Sequence, residues 1–184
     1  MADYFVFKGI KSTDYGVYVT EFPPIPIPVE RVEYKQIPGR AGTIAICEGE
    51  GVYDDVTFTV SCFIANLDNL AAISNWLTGS GELILGNMPD KMRKARVSRQ
   101  IDIVKLMRGR TAHIFDVTFR CDPVMYAVET GSFPVRESGT TIPGEGVADA
   151  EPIIVVTGTG DITLTVGDRT LTIEGLSGSI TIDS

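Results

Sequence analysis

The sequence predicts a mainly β protein with one helix, a long hairpin arm and a smaller C-terminal β module. Three observations lead to this prediction. Apolar and polar residues alternate along several segments, which is the pattern of half-buried strands. Only one segment has the apolar spacing of a helix. Turn-forming glycines and prolines, 19 and 10 in 184 residues, divide the chain into short pieces.

The clearest alternation occurs in two predicted strands. In Val56 to Ile64, apolar side chains alternate with the hydroxylated side chains of Thr57, Thr59 and Ser61. In His113 to Cys121, they alternate with Asp116, Thr118 and Arg120. Successive side chains of a strand point to opposite faces, so each strand has one apolar and one polar face. We expect both strands to belong to one sheet and to share one core.

The one predicted helix runs from about Leu67 to Leu77. Asn66 or Asp68 can cap its start, and Gly79 follows its end. One face of the helix carries the four apolar side chains of Leu70, Ile73, Trp76 and Leu77. We expect this face to pack on the sheet and the only tryptophan to lie in the core, because large aromatic side chains are mostly buried.

Residues 22–48 differ in kind from the rest of the chain. Residues 22–28, which we call the strap, contain four prolines, and prolines keep a backbone extended and remove hydrogen-bond donors. Arg31 to Ile37 and Thr43 to Cys47 are predicted to pair as a hairpin, because Pro38 and Gly39 suit the central positions of a type II turn. We call residues 29–48 the arm. A long hairpin beside a compact domain usually contacts a neighbouring molecule.

Further strands are predicted between residues 100 and 182. Gln100 to Leu106 and Thr111 to Phe119 flank a predicted hairpin turn at residues 107–110. Near the C-terminus, Gly167 and Asp168 form a predicted turn among four short strands. These strands are Ile153 to Val156, Ile162 to Val166, Leu171 to Ile173 and Ile180 to Ile182.

The composition changes near residue 131, where we place a domain boundary. Residues 131–184 carry two Lys or Arg and eight Asp or Glu, and aromatic residues stop after Phe133. The segment around the boundary is rich in turn formers. We therefore predict a β domain at residues 1–130 and a small β module at residues 131–184.

The overall charge and cysteine content exclude several classes of function. With 24 acidic and 16 basic side chains, the net charge is -8, whereas sequence-independent DNA binding needs a cationic surface. No apolar stretch approaches the roughly 20 residues that cross a bilayer, and the N-terminus lacks a secretion leader, so no membrane role is expected. Cys47, Cys62 and Cys121 are odd in number and far apart, which favours reduced thiols in a cytoplasm.

No catalytic, cofactor or metal site is predicted. His113, the only histidine, shares a strand face with Phe115 and Val117, which favours a core or strand-edge position. One histidine and three scattered cysteines do not readily supply a zinc site. The glycine-rich residues 158–161 precede a strand, so they lack the helix that a phosphate-binding loop needs. Four acidic residues cluster at Glu48, Glu50, Asp54 and Asp55. They lack the ligand spacing of a calcium-binding loop, so we interpret this segment as a solvated turn.

The densest run of positive charge follows a predicted turn at residues 87–90. Two interpretations remain open, a solvated loop and strand face or a contact with another protein. In the second case, an acidic protein with one basic stripe can pair head to tail with its own copies. The stripe comprises Lys91, Arg93, Lys94, Arg96 and Arg99.

The order of several sequence features resembles a known family. Along residues 5–127 the chain contains FKGIKSTDYGV, PGRAG, YDDVTFTVSCFI, WLTGSGEL and RTAHIFDVTFRCDPVMYA. Together these segments resemble the N-terminal domain of siphovirus distal tail proteins. The resemblance implies a β-sandwich related to the tail tube fold and a non-enzymatic virion protein. It also implies a hexameric ring at the distal end of the tail tube, with a channel that DNA crosses without specific binding.

The resemblance assigns a role to the arm, which clasps the next subunit in that family. It implies that Tyr34 on the shaft and Arg40 at the tip contact the neighbouring subunit. The turn between the arm's strands is shaped by Pro38, Gly39 and Gly42. The implied partners are the tail tube protein and the tail-tip or baseplate proteins, with no membrane, and assembly takes place in the host cytoplasm.

The C-terminal module resembles the opening strands of the family's galectin-like second domain. Four strands are fewer than such a sandwich needs, so a small or incomplete domain is predicted. Stacking aromatic residues are absent after Phe133, and a galectin-like shape alone does not imply sugar recognition. Two alternative functions remain, the tail tube protein itself and a carbohydrate-binding module involved in host adsorption.

Overall fold

The computed structural model describes residues 3–49, 51–106, 112–129, 131–142 and 152–183. It confirms that the protein is mainly β. The chain divides into two compact units, Met1–Arg136 and Glu137–Ser184. The assignment of these units to a ring-forming domain and a galectin-like module stays a prediction. No helix of the described residues has the length and hydropathy needed to span a membrane.

The first unit is built on a nine-stranded antiparallel sheet that curls into a half-barrel. The strands of the described chain are β1 (Phe5–Phe7), β2 (Ile10–Lys11), β3 (Val17–Glu21), β4 (Val32–Gln36), β5 (Thr43–Cys47), β6 (Val56–Ile64), β7 (Ser80–Leu85), β8 (Met88–Val97), β9 (Val104–Lys105), β10 (His113–Cys121), β11 (Tyr126–Ala127), β12 (Ile153–Val166) and β13 (Arg169–Asp183). The main strand order of the nine-stranded sheet is β2-β1-β7-β8-β10-β6-β3, with β9 beside β10 and β11 beside β8. A separate two-stranded sheet joins β4 and β5, and another joins β12 and β13.

The centre of the sheet is the antiparallel pair β6 and β10, as the alternation predicts. The two strands stay in register from His113 opposite Ile64 to Cys121 opposite Val56. Their apolar face is buried, and their polar face carries the hydrogen bond between the hydroxyls of Thr59 and Thr118, at 3.0 Å. One face therefore builds the core and the other is a polar surface.

Aromatic side chains fill the core between the sheet and the helix. Phe5 stacks on Trp76 with ring centroids 5.3 Å apart, and Phe119 meets the edge of Phe5 at 5.8 Å. The indole Nε1 of Trp76 donates a hydrogen bond to the carbonyl oxygen of Phe7 at 2.8 Å. This bond satisfies the one polar atom of a buried indole, and it confirms that the tryptophan belongs to the core.

The helix α1 (Leu70–Trp76) is shorter than predicted and begins three residues later. Ile73 and Trp76 are buried, and so is Leu77, which follows the helix end. Leu70 is 41% exposed, so its predicted place on the buried face is wrong. A short 3-10 helix (Ser12–Tyr15) ends at Gly16, whose φ of 72° is the left-handed conformation that glycine adopts freely.

The predicted strand from Gln100 to Leu106 is mostly wrong. Only Val104–Lys105 pair with β10, opposite His113 and Ile114. Ile101 and Ile103 lie outside any strand and pack against the core instead. Their alternating apolar pattern therefore marks core contact and not a strand. The predicted turn at residues 107–110 lies outside the described residues.

The second unit contains two long strands, so the prediction of four short strands is wrong. β12 and β13 form one antiparallel hairpin, joined at the predicted turn of Gly167 and Asp168. The register shifts between Gly160 and Ile162, where the carboxylate of Asp161 accepts a hydrogen bond from the amide of Gly175 at 2.7 Å. The glycine-rich residues 158–161, predicted to connect two strands, instead lie at a β-bulge within one continuous ladder.

Candidate intersubunit surface

The arm is a regular hairpin with the predicted turn. Five residue pairs join β4 to β5, from Val32 opposite Cys47 to Gln36 opposite Thr43. The amide of Arg40 donates to the carbonyl oxygen of Ile37 at 3.1 Å, and Gly39 has a φ of 83°. Proline followed by a glycine of positive φ, closed by this bond, is the type II turn that the sequence predicts.

Hydrogen bonds and ion pairs fix the root of the arm, which we define as residues 29–31 and residue 48. The amide of Arg31 donates to the carbonyl oxygen of Val52 at 2.9 Å, and the amide of Asp54 donates to that of Val29 at 3.0 Å. The guanidinium of Arg31 lies 2.8 Å from the carboxylate of Asp54 and 3.5 Å from that of Glu48. The hydrogen bond to Asp54 is the main cause that raises the pKa of Arg31. The root is thus tied to the segment that leads into β6.

Two arginines form ion pairs with the acidic cluster of Glu48, Asp54 and Asp55. Arg31 contacts Glu48 and Asp54, and Arg120 contacts Asp55 at 2.6 Å. Glu50 lies outside the described residues. Within the described ranges no three His, Cys, Asp or Glu side chains come together in a way that would hold a metal ion.

The shaft and tip of the arm expose apolar side chains. Tyr34 is 68% exposed, and Ile37 and Ile46 are exposed as well. In the described chain, the backbone hydrogen bonds between the arm and residues outside it lie at the root. Arg40 is exposed at the tip. Exposed tyrosine and isoleucine on a projecting hairpin are typical of a surface that contacts another protein.

The basic stripe is divided between the two faces of β8. Lys94 and Arg96 are exposed, and the ammonium of Lys94 lies 5.0 Å from the ring centroid of Tyr126. Arg93 faces inward and is 6% exposed, so it does not belong to an exposed stripe. Lys91 and Arg93 line a cavity together with the strap. Arg99 is exposed after the strand ends. The period-two geometry of a strand produces this division.

The cavity beneath the strap is mainly apolar. Its walls come from the strap, from the sheet and from the segment before β11. The residues around it are Pro23, Pro24, Ile25, Pro26, Phe58, Leu83, Leu85, Met88, Lys91, Arg93 and Met125. The strap therefore borders the same cavity as the core residues Phe58, Leu83 and Leu85.

The nucleophilic and basic side chains of the sheet are placed for packing. Burial raises the pKa of Cys62 and of Cys121 to about 12, which keeps both thiols protonated and unreactive. Cys47 is exposed on β5 of the arm. His113 is half-buried at the start of β10, and its Nδ1 is buried without a hydrogen-bond partner among the described residues.

Sequence reasoning missed two features of this surface. The ion pairs of Arg31 with Glu48 and Asp54 were not predicted, although closing a hairpin brings residue 31 beside residue 48. The inward direction of the Arg93 side chain was not predicted, because the basic residues were grouped by their proximity in sequence and not by the strand face on which they lie. The alternation of Arg93 and Ala95 with Lys94 and Arg96 was the available signal.

Comparison with known proteins yields a likeness in fold. No protein-family model matches the chain, and no curated protein matches it in sequence. A crystal structure of the Dit protein (gp 19.1) of SPP1 is similar, with a TM-score of 0.55 and 14% identity over 88% of this chain. That protein is described as a paradigm of the hub adsorption apparatus in phages that infect Gram-positive bacteria. The chain covers 57% of the length of the SPP1 protein, and the likeness shows that the two share a fold.

Proposed function

We propose that this protein is a structural component of a bacteriophage tail, located at the distal end where the tube meets the adsorption apparatus. The likeness in fold to SPP1 Dit, over 88% of this chain, carries the proposal. The role is architectural and not enzymatic. The likeness in fold to a hub protein of an adsorption apparatus supports this.

In this role six copies form a closed ring, and the arm of each copy clasps the next. A projecting hairpin that contacts a different patch on its neighbour makes a heterologous interface, and such interfaces generate rings when the rotation closes. The exposed side chains of Tyr34, Ile37 and Ile46 supply the apolar contact area. Arg40 at the tip supplies a charge for an acidic neighbour, in a chain whose net charge is -8.

The ring connects the tail tube protein to tail-tip or baseplate proteins and leaves a channel for DNA. The net negative charge supports free passage, because phosphates are held by cationic surfaces through counterion release. The protein is part of the virion and assembles in the host cytoplasm. Its three free cysteines suit a reducing compartment.

Native mass spectrometry of the purified protein, followed by electron microscopy, tests this function. We expect a hexamer and particles one or two layers thick with an open centre. A monomer at tens of micromolar protein, with the arm intact, contradicts the proposal. Long stacks of rings would instead identify a tail tube protein, because a tube protein polymerises.

The contribution of the arm is tested by Gly39→Val. Valine is strained at a φ of 83°, so the turn should be destabilised by about 1 kcal/mol or more while the sheet stays folded. We expect the ring to dissociate and the melting temperature of the sheet to stay unchanged.

Gly167→Val is the matched control for this variant. Gly167 also has a positive φ, 58°, and it lies in the turn of the other long hairpin. Valine at this position imposes the same kind of backbone strain, in a turn that is distant from the arm in the sequence. Equal dissociation by both variants, or intact rings of Gly39→Val, would exclude the arm as the clasp.

A further inference from the structure

A buried guanidinium lies where three segments of the first unit meet. Nη1 of Arg93 on β8 donates to the carbonyl oxygens of Asp122 at 3.0 Å and Pro123 at 2.9 Å. Nη2 lies 3.5 Å from the carbonyl oxygen of Pro26 in the strap. Among the described residues, no carboxylate forms an ion pair with Arg93. The buried charge is therefore balanced by backbone carbonyls.

Burying this guanidinium costs free energy unless its N–H groups donate hydrogen bonds. Removing a cation from water is unfavourable, and burial accordingly lowers the pKa of Arg93. A planar guanidinium offsets the cost because its five N–H groups point in several fixed directions at once. The side chain thereby joins the strap, which belongs to no strand, to β8 and to residues 122–123.

Arg93 is the hydrogen-bonding partner of the strap, which also packs against the core through Phe22. Residues 22–28 belong to no strand, and their prolines provide few amide donors. Among the hydrogen bonds of the described chain, the one from Arg93 to Pro26 is the one that involves the strap. The strap also lines the cavity that Arg93 and Met125 border. Three residues after Pro26 the arm begins, so the strap holds the start of the arm from one side while the bonds to Val52 and Asp54 hold it from the other.

We propose that Arg93 is a positioning residue that holds the strap against the sheet and thereby sets the direction of the arm. The proposal rests on the proposed function of the arm as a clasp. A clasp that points in many directions is competent to bind for only a fraction of the time, and the apparent affinity falls by that fraction. Arg93 raises the affinity of one copy for the next without touching it.

The variant that separates this role from folding is Arg93→Lys. Lysine carries its three donors on one nitrogen, so it can replace Nη1 at the carbonyls of Asp122 and Pro123. It cannot also serve Pro26, which the second nitrogen of the guanidinium serves. We expect the sheet to melt normally, the arm to lose its fixed direction and the ring to dissociate at about tenfold higher protein concentration.

The direction of the arm is measured with two spin labels on the full-length protein. Thr43→Cys in a Cys47→Ser background places one label at the tip end of β5, because Cys47 itself lies beside the fixed root, and Ser74→Cys adds a second site on the exposed side of α1. Cys62 and Cys121 are buried and stay unlabelled. Pulsed electron resonance of dilute protein gives the distance distribution between the labels and needs no ring. We expect a narrow distribution in the parent protein and a broad one in Arg93→Lys.

Arg96→Lys is the matched control, because Arg96 is exposed on the opposite face of the same strand. It should leave the distribution narrow. Arg93→Gln is a second variant, which removes the buried charge together with the bond to Pro26, and it should also broaden the distribution. An unchanged distribution in Arg93→Lys overturns the proposal, and so does loss of folding in both Arg93 variants. If the distribution broadens but the parent protein forms no ring, the positioning role stands and the proposed function fails.

Discussion

Two antiparallel strand pairs of this protein differ in their exposure to solvent. The apolar side chains of β6 and β10 are buried in the core, whereas several of those of β4 and β5 in the arm are exposed. Both pairs are antiparallel and keep a continuous register. In the first pair Val60, Val117 and Phe119 are completely buried. In the second pair Tyr34 and Ile46 are exposed. A continuous antiparallel register thus defines a strand pair, and it does not specify whether anything covers the apolar side chains of that pair.

The difference has an energetic consequence. Fully burying one large apolar side chain contributes about 1.5 to 3 kcal/mol, so the sheet stabilises itself. An isolated two-stranded hairpin is marginally stable in water. The arm therefore relies on its root for attachment and, in the proposed ring, on its neighbour for the rest. Three measurements test this contrast between the sheet and the arm.

The largest expected difference is in thiol reactivity, because each region carries a cysteine. At pH 8 a thiol whose pKa is about 12 is ionised in about one molecule in ten thousand, and buried thiols also need the sheet to open. We expect Cys47 to react with an alkylating reagent roughly a thousandfold or more faster than Cys62 and Cys121. Mass spectrometry of digested protein over time measures this. Comparable rates at all three cysteines would show that the sheet is not a closed core.

A smaller difference is expected from the same substitution in both regions. Ile64 on β6 is buried and Ile46 on β5 is exposed. Ile64→Ala should lower the free energy of unfolding of the sheet by about 2 to 5 kcal/mol, because it leaves a cavity. Ile46→Ala should change it by less than about 0.5 kcal/mol. Urea denaturation followed by tryptophan fluorescence measures both, since Trp76 lies in the core. Equal effects would mean that the arm belongs to the same cooperative unit.

The smallest effect is expected from removing the second unit. A chain that ends at Arg136 keeps every strand of the sheet and the whole arm. We expect its melting temperature and its ring to match those of the full-length protein. Loss of the ring in the shortened chain would show that residues 137–184 complete the assembly, and a lower melting temperature would show that they complete the core.

Features that depend on neighbouring residues could be predicted from the amino-acid sequence. Alternation located β6 and β10, and Pro38 followed by Gly39 specified the turn of the arm. The only tryptophan was correctly expected in the core. These predictions succeed because side-chain period and turn chemistry act over two to four residues. The same local reasoning failed in β12 and β13, where glycines that usually end a strand are absorbed by a bulge.

The strand order and the partners of buried polar groups depend on contacts between distant segments and could not be predicted from the sequence. The indole of Trp76 finds its acceptor 69 residues away at Phe7, and the guanidinium of Arg93 reaches Pro26 across 67 residues. Neither pairing leaves a local signal, because a carbonyl oxygen is available at every residue. A buried donor must be satisfied by whichever acceptor the fold brings within reach, and that choice is made when distant segments pack together.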